Sequence, residues 1–174
     1  MREAAVISFI ADDRPGLVEL LATTIKNNHG NWQESQLAHM TGKFAGIIKV
    51  NIEQNETQGL CDALEALQDN ELTVQCTQVT NLPPSDMHQG HLSLIGNDRP
   101  GIIQEIASAM ARYHLNIVEM QTVISSAPMA GHQLFAAEIT FEVPAELKYE
   151  TVLDEINDIA DALDLDITLD GIND

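Results

Sequence analysis

Apolar and polar residues follow two different periods along this chain, and these periods predict strands and helices in a repeating order. The apolar run at residues 6–11 ends at Asp12 and predicts a buried strand. Apolar residues three and four positions apart then predict an amphipathic helix, because that spacing places them on one face. These helix positions are Leu17, Leu20, Leu21 and Ile25.

Three further strands and a second helix are predicted in the first half of the chain. Residues 32–40 and 44–52 alternate in polarity and predict two strands joined by a tight turn. A helix carrying Leu60 and Leu64 follows, and residues 72–80 predict the closing strand. The first half is therefore predicted to have the order β-α-β-β-α-β.

The second half repeats this order with one longer hairpin at residues 126–133. Its first helix is predicted from the spacing of Ile102, Ile106 and Met110. The predicted strands are residues 117–125, 135–143 and 165–169, and the last helix carries Val152, Ile156, Ile159 and Leu163.

A duplicated tetrapeptide explains the repeated order. Asp-Arg-Pro-Gly stands at residues 13–16 and again at residues 98–101, and a shift of 85 residues gives 11 identities over the 36 positions from 5 to 40. A period of that length is the size of a small domain. We therefore predict domains at residues 1–80 and 90–174, separated by a linker at residues 81–89.

The element order predicts an α+β fold of two tandem ferredoxin-like domains. In this plan a four-stranded antiparallel sheet carries two helices on one face. A fold of this kind serves many functions, so the function has to be argued from a site.

Composition excludes several functions. The chain has 27 acidic and 8 basic residues, a net charge of −19, which repels phosphate backbones. Aromatic residues are 4%, too few for platforms that stack bases, so no direct contact with nucleic acid is expected. No run of apolar residues reaches the length of a membrane span, and the N-terminus lacks the pattern of a secretory signal. A cytoplasmic location is therefore expected.

The cysteines and histidines predict no metal site. Cys61 and Cys76 form no CxxC pair and no Cys/His cluster, and we expect free buried thiols. His29 and His114 are equivalent residues at helix ends, where a cation is favoured. The acidic C-terminal stretch, residues 150–174, predicts a solvated face or a docking surface for a basic partner.

The loop after the first strand of each half has the chemistry of a ligand site. Pro15 is expected at the first helical position, and Gly30 as a left-handed cap at the end of that helix. The free amides of the first helical turn attract a carboxylate, and Gly16 has no side chain in its way. Asp13 could accept hydrogen bonds from an ammonium group, and Asn31 offers a donor and an acceptor. This combination suits a free amino acid, although the same residues also serve as a turn and a helix start.

The motif resembles that of the ACT domain, a small-ligand regulatory module of amino-acid metabolism. The resemblance rests on a strand, Asp-Arg-Pro-Gly followed by two aliphatic residues, a helix, and His-x-Asn-(Trp/Ile)-x-Glu, in both halves. Two such domains with no enzyme attached, together with residues 37–44, resemble the glycine cleavage system transcriptional repressor family. Some members of that family have a degraded second motif, whereas both tetrapeptides are intact here, which allows two working sites.

The resemblance implies an amino-acid-responsive regulator with no cofactor, whose first-choice effector is glycine. It further implies contact with a LysR-type activator and no DNA binding by the chain itself. A homo-oligomer is expected from size, because domains of about 85 residues gain from packing on each other or on a second chain. The ligand would lie between the first strand and first helix of each half. By position, the ligand-binding residues would be Asp13, Arg14, Pro15, Gly16 and Asn31, with Asp98, Arg99, Pro100, Gly101 and Asn116.

Other functions remain as alternatives. The chain could be an amino-acid-sensing subunit that controls a metabolic enzyme in trans, or a scaffold that has lost its ligand. Acylphosphatases share the element order and use an arginine and an asparagine, as Arg14 and Asn31 superficially offer. The loop here is short and its acids would repel a phosphoryl group, so no enzyme activity is expected.

Overall fold

A computed structural model describes residues 1–68, 71–79, 87–126 and 133–173, and these form two compact units, residues 1–83 and 84–174. Each unit has the predicted order β-α-β-β-α-β. The first contains β1 (Arg2–Asp12), α1 (Leu17–Asn27), β2 (Asn31–Met40), β3 (Lys43–Glu53), α2 (Thr57–Glu65) and β4 (Leu72–Val79). The second contains β5 (Met87–Asn97), α3 (Ile102–Arg112), β6 (Asn116–Ser126), β7 (Gln133–Pro144), α4 (Tyr149–Leu163) and β8 (Asp166–Asn173).

Each unit forms one four-stranded antiparallel sheet with its first strand in the interior. The strand orders are β2-β3-β1-β4 and β6-β7-β5-β8. The tandem ferredoxin-like fold predicted from the sequence is therefore confirmed. The strands extend one to four residues beyond most of the predicted ends, because backbone pairing continues where the apolar pattern has stopped.

The core of the first unit lies between the sheet and its two helices. Alternate residues of β1, including Ile7 and Phe9, are buried against Leu21 and Ile25 of α1. Burying one aliphatic side chain of this size stabilises a fold by about 1.5–3 kcal/mol. The second unit repeats the arrangement with Leu94, Ile106 and Met110, among others.

The end of α1 differs from the prediction that placed Gly30 in the left-handed region. His29 takes that conformation, with φ of 62°, and the Gly30 amide donates to the Ile25 carbonyl at 2.9 Å. This is a Schellman ending in which the histidine is the residue just beyond the cap. Gly30 is instead needed for close packing, since a Cβ there would lie 2.8 Å from Val50 Cγ1. His114, with φ of 60°, ends α3 in the same way.

Most of the predicted linker and most of the predicted long hairpin lie outside the described residues. Residues 81–86 of the predicted linker lie outside them, and residues 87–89 belong to β5. Residues 127–132 of the predicted long hairpin also lie outside. Residues 126 and 133 at its ends are the last residue of β6 and the first of β7.

The expectation of free thiols is wrong, because Cys61 and Cys76 form a disulfide. The bond links α2 to the closing strand β4, with the two Cα atoms 5.2 Å apart. The two residues are 15 positions apart in sequence, and only the packing of α2 beside β4 brings them together. Among the described residues, no helix combines the length and apolarity needed to cross a membrane.

Removing this disulfide should destabilise the first unit. We expect Cys61→Ala with Cys76→Ala to lower its free energy of unfolding by about 3 kcal/mol, the loop-closure entropy of a cross-link over roughly 15 residues. Urea denaturation followed by circular dichroism measures the change. A reductant should shift the natural protein in the same direction and leave the double variant unaffected; equal stability of the two proteins would contradict the prediction.

Candidate functional site

Both Asp-Arg-Pro-Gly segments form the same tight turn at the carboxyl end of a central strand. Gly16 has φ and ψ of 87° and −5°, and Gly101 has 91° and −3°. These are the angles of the third residue of a type II turn, whose second position favours proline. In the second unit the Ile102 amide closes the turn by donating to the Arg99 carbonyl at 3.3 Å.

The turn corrects the position expected for Pro15. Helix α1 begins at Leu17 with Gly16 as its N-cap, so the proline precedes the helix and is not its first residue. The Pro-Gly pair is used here for the turn, where proline presets one angle and glycine allows the positive φ of the next residue. Pro100 and Gly101 repeat this before α3.

The turn is exposed and sterically open in both units. Residues 13–16 are all exposed, as are Pro100 and Gly101. A Cβ added at Gly16 or Gly101 would have no neighbouring atom within 4 Å. The first helical hydrogen bond of α1 runs from the Leu20 amide to the Gly16 carbonyl at 2.9 Å. The amides of residues 17–19 precede this bond and have no acceptor within the helix. Such an end carries partial positive charge.

Ionisable side chains surround the turn of the first unit. His39 Nε2 lies 3.6 Å from Asp13 Oδ2, and Arg14 Nη1 donates to Glu71 Oε2 at 3.3 Å. Lys43 forms an ion pair with Asp12, at the end of β1. The Asp13 amide donates to the Gly42 carbonyl at 3.0 Å, which attaches the turn to the β2–β3 hairpin.

The second unit holds its arginine differently. Arg99 Nη1 donates to Glu105 Oε1 at 2.7 Å, Arg99 Nη2 lies 2.6 Å from Glu105 Oε2, and Nη2 also contacts the Leu163 carbonyl at 3.5 Å. The hydrogen bond from Arg99 lowers the pKa of the Glu105 carboxyl, and the same bond raises the pKa of Arg99. Position 20, the counterpart of Glu105, is a leucine, so Arg14 has no equivalent partner on α1.

A cavity of about 490 Å³ opens at the end of the second sheet, near the second turn. Asn97, the residue before Asp98, lies in its wall. Three carboxylates share that wall with it: Asp161, Asp164 and Asp166. The lining therefore favours a cationic group over an anionic one.

The structure separates the two asparagines from the turns. Asn31 pairs with Asn51, whereas Asp12 pairs with Lys43 at the other end of β3. Lys43 and Asn51 are separated by eight residue steps along β3, which span roughly 26 Å at about 3.3 Å per step. The cause is that α1 returns along the sheet, so that β2 starts at the end where β1 began. Asn116, paired with Glu142, is displaced in the same way.

Sequence reasoning identified the turns but missed their surroundings. His39, Lys43 and Glu71 join the first turn through the hairpin and the start of β4, and no spacing along the chain signals this. Glu105 could have been found, because it lies in the first turn of the helix that follows Arg99. Within the described ranges, no three His, Cys, Asp or Glu side chains are arranged to hold a metal ion.

Comparisons with known proteins place this arrangement in context. A family model described as ACT domain matches residues 3–77 and again residues 91–170. A solved structure of an unknown protein from Galdieria sulphuraria is 26% identical, with a TM-score of 0.83 over 97% of this chain and 98% of that one. A candidate glycine cleavage system transcriptional repressor is 15% identical, with a TM-score of 0.75 over 100% and 99%. A comparison with curated proteins finds no match.

The backbone of the turns can be tested with glycine substitutions. Gly16→Ala and Gly101→Ala should each lower the free energy of unfolding by about 1–2 kcal/mol, because a Cβ is strained at positive φ even where space is open. Gly59→Ala is the matched control, since Gly59 is helical and equally uncrowded. It should stabilise the protein by about 0.5–1 kcal/mol. Chemical denaturation measures all three, and a neutral Gly16→Ala would argue against the left-handed turn.

The Arg99–Glu105 pair predicts a specific pH dependence. Arg99→Gln should raise the pKa of the Glu105 carboxyl, because the hydrogen bond from the guanidinium that lowers this pKa is lost. Carbon-detected NMR titration measures the pKa. A lowered folded-state pKa stabilises the fold above the pKa of the unfolded chain, and this contribution is lost as the pH falls through the folded pKa. Arg14→Gln is the control and should leave Glu105 unchanged.

Proposed function

The chain belongs to the ACT domain family, and on this premise we propose that it is a regulatory protein that binds a small amino acid and acts through contact with another protein. The proposed role is regulatory and not catalytic. ACT domains are regulatory modules, and the two turns present backbone amides and carboxylates without an arrangement of nucleophile and base.

One observation carries this proposal. The same turn occurs twice with the same backbone angles, although only 7 of the other 32 aligned positions from 5 to 40 are identical in the two halves. A turn needed only for folding could be made by many sequences. Retention of open glycines at the start of both helices supports a role in holding a ligand against the backbone.

The chemistry of the turn supports a zwitterionic ligand. The carboxylate of an amino acid would approach the first helical amides beside Gly16 or Gly101, at the positive end of the helix. Its ammonium group would be held by Asp13 or Asp98, with Arg14 and Arg99 already engaged by glutamates. Glycine is the first ligand to test, because the chain has the fold of a candidate glycine cleavage repressor.

The asparagines need a separate role in this proposal. Asn31 lies at the far end of its own sheet from Asp13, so it cannot contact a ligand bound at the turn of its own unit. It could share a ligand only with a turn that another sheet supplies. Asn31→Ala therefore distinguishes two forms of the proposal. It should leave the affinity unchanged for a ligand bound within one unit, and it should lower the affinity for a ligand shared between sheets.

The net charge of the chain supports a partner with a basic protein surface. Residues 84–174 carry 3 basic and 16 acidic residues, a net charge of −13, and residues 1–83 carry 5 and 11, a net charge of −6. An acidic second unit favours a basic protein surface and repels DNA. The resemblance to the glycine cleavage system transcriptional repressor family, and not the charge, leads us to propose a DNA-binding activator of the LysR type as this partner, with this chain as a homo-oligomer in the cytoplasm. Pulling down the partner from lysate with this chain tests the alternative. A metabolic enzyme found in place of such an activator would favour control of that enzyme in trans.

Ligand binding can be tested by thermal unfolding with each of the twenty amino acids at millimolar concentration. A ligand at 100 times its Kd should add about 2.7 kcal/mol of stability if it binds only the folded state. We expect the largest increase in Tm with glycine or a close relative. Asp13→Ala and Asp98→Ala should each reduce the increase, and the double variant should abolish it.

The control distinguishes the turn from a nonspecific effect of charge. Asp62→Ala removes one carboxylate from α2 and should leave the response to the amino acid unchanged. If none of the twenty amino acids changes the Tm, amino-acid sensing is rejected. The protein would then be a constitutive interaction module.

A further inference from the structure

The disulfide between Cys61 and Cys76 joins a helix to the strand that supports the first turn. It links α2 to β4, which lies at the edge of its sheet and pairs with β1. Both cysteines are only partly buried, so a small thiol can reach the bond in the folded protein. The chain has no other cysteine, and the function proposed above makes no use of this pair.

The start of β4 contacts the first turn directly. The Asp12 amide donates to the Glu71 carbonyl at 3.0 Å, and Arg14 Nη1 donates to Glu71 Oε2 at 3.3 Å. Leu72, the first residue of β4, pairs with Ala11 near the end of β1. Glu71 is therefore a positioning residue, because it engages the guanidinium that is next in sequence to the Asp13 carboxylate.

The two halves of β4 are attached to the unit differently. Leu72 and Val74 are buried in the core, whereas the side chains of residues 75–79 are exposed or half-buried. Gln78 Nε2 donates to Glu3 Oε2 at 2.6 Å, which attaches this outer half to β1. The disulfide attaches it covalently to α2. Segments with few buried contacts open locally at low free energy, so loss of the bond should loosen β4 before the interior strands.

The second unit holds its arginine without its closing strand. Arg99 pairs with Glu105 of α3 and contacts the carbonyl of Leu163 at the end of α4. Residues 84–174 contain no cysteine. The oxidation state of the disulfide should therefore affect the first turn alone, and the second turn is an internal control.

We propose that the Cys61–Cys76 disulfide is a redox switch that controls ligand binding at the first turn. This switch rests on the amino-acid site proposed above and supplies the regulation of that site. With the bond intact, Glu71 engages Arg14, and the Asp13 carboxylate accepts the ammonium group of the ligand. With the bond reduced, β4 loosens and releases Arg14, whose guanidinium then competes with the ligand for Asp13.

The switch needs a dithiol as its reductant. A thiolate of the dithiol attacks one sulfur of the disulfide and forms a mixed disulfide, while the other sulfur leaves as a thiolate and takes up a proton. The second thiol of the dithiol then displaces the first sulfur, which is protonated in turn. The chain gains two electrons and two protons, and the dithiol becomes a disulfide. The proposed cytoplasmic location agrees with this role, because disulfides there are typically transient and redox-sensing.

The first experiment measures the turn without any ligand. Native-state hydrogen exchange of the full chain is followed by NMR with and without dithiothreitol. We expect the Asp12 amide to exchange about tenfold faster after reduction, because opening of β4 removes its Glu71 acceptor. The Asp98 amide, which donates to Gln133 in the second unit, should be unchanged. Equal exchange of the Asp12 amide in both states, or global unfolding of the first unit on reduction, would overturn the proposal.

The second experiment measures the affinity for glycine by NMR titration in variants that retain one turn. Asp98→Ala leaves the first turn, and reduction should lower its affinity about fivefold, near the low end of typical coupling between sites. Asp13→Ala leaves the second turn, whose affinity should not respond to dithiothreitol. A redox response of the second turn would contradict the switch. Faster exchange of the Asp12 amide without any response to glycine would reject glycine as the ligand and leave the redox control of the turn in place.

Substitution of Arg14 distinguishes release of this arginine from a general loss of stability. In the Asp98→Ala background, Arg14→Gln removes the competing guanidinium, so the affinity for glycine should be the same in both redox states. Arg112→Gln, which removes an exposed arginine of α3, is the matched control and should keep the redox response. A redox response that persists in Arg14→Gln would show that the arginine is not the competitor and would overturn the proposal.

Two further variants reproduce the states of the switch. Cys61→Ala with Cys76→Ala should have the affinity of the reduced protein and should not respond to dithiothreitol. Glu71→Gln should lower the affinity of the first turn while the disulfide is still intact, because Arg14 loses its charged partner. Dispersion of the amide spectrum confirms that each variant is folded. Full affinity in the double cysteine variant would argue against the switch.

Discussion

Burial of alternate side chains along β1 and β5 is the constraint on which each unit depends. These central strands pair on both sides, so one of their faces has to be covered by helices to keep its apolar residues from water. The covering helix must start close to the end of the strand, and the Arg-Pro-Gly turn makes that reversal within a few residues. The position of the proposed ligand site thus follows from the packing of the core.

The same packing determines which residues can act together. Because the first helix of a unit runs back along the sheet, the strand that follows begins at the opposite end. Residues close in sequence, such as His29 and Asn31, are consequently far from the turn that precedes the helix. Residues far apart in sequence, such as Arg14 and Glu71, are brought together there.

Duplication allows each unit to serve as a comparison for the other. The turn geometry is the same in both, while the partners of the arginine differ: Arg14 contacts Glu71 and Arg99 contacts Glu105. The second unit also carries most of the net negative charge. Any ligand that changes contact with a partner protein must bind one arrangement of the molecule better than another. The unequal units offer two chemically different places for such a preference.

The sequence by itself determined the elements, the duplication and the fold class, because periods of 3.6 and 2 residues record which face of a helix or strand is buried. It also located both turns, since Pro-Gly favours one local geometry almost independently of its surroundings. Only the tertiary structure decided that His29 and not Gly30 takes the left-handed conformation, that Cys61 meets Cys76, and that Asn31 is remote from Asp13. The first two outcomes depend on contacts between elements, and the third on the direction in which α1 runs back along the sheet; the spacing of residues within a motif expresses none of these.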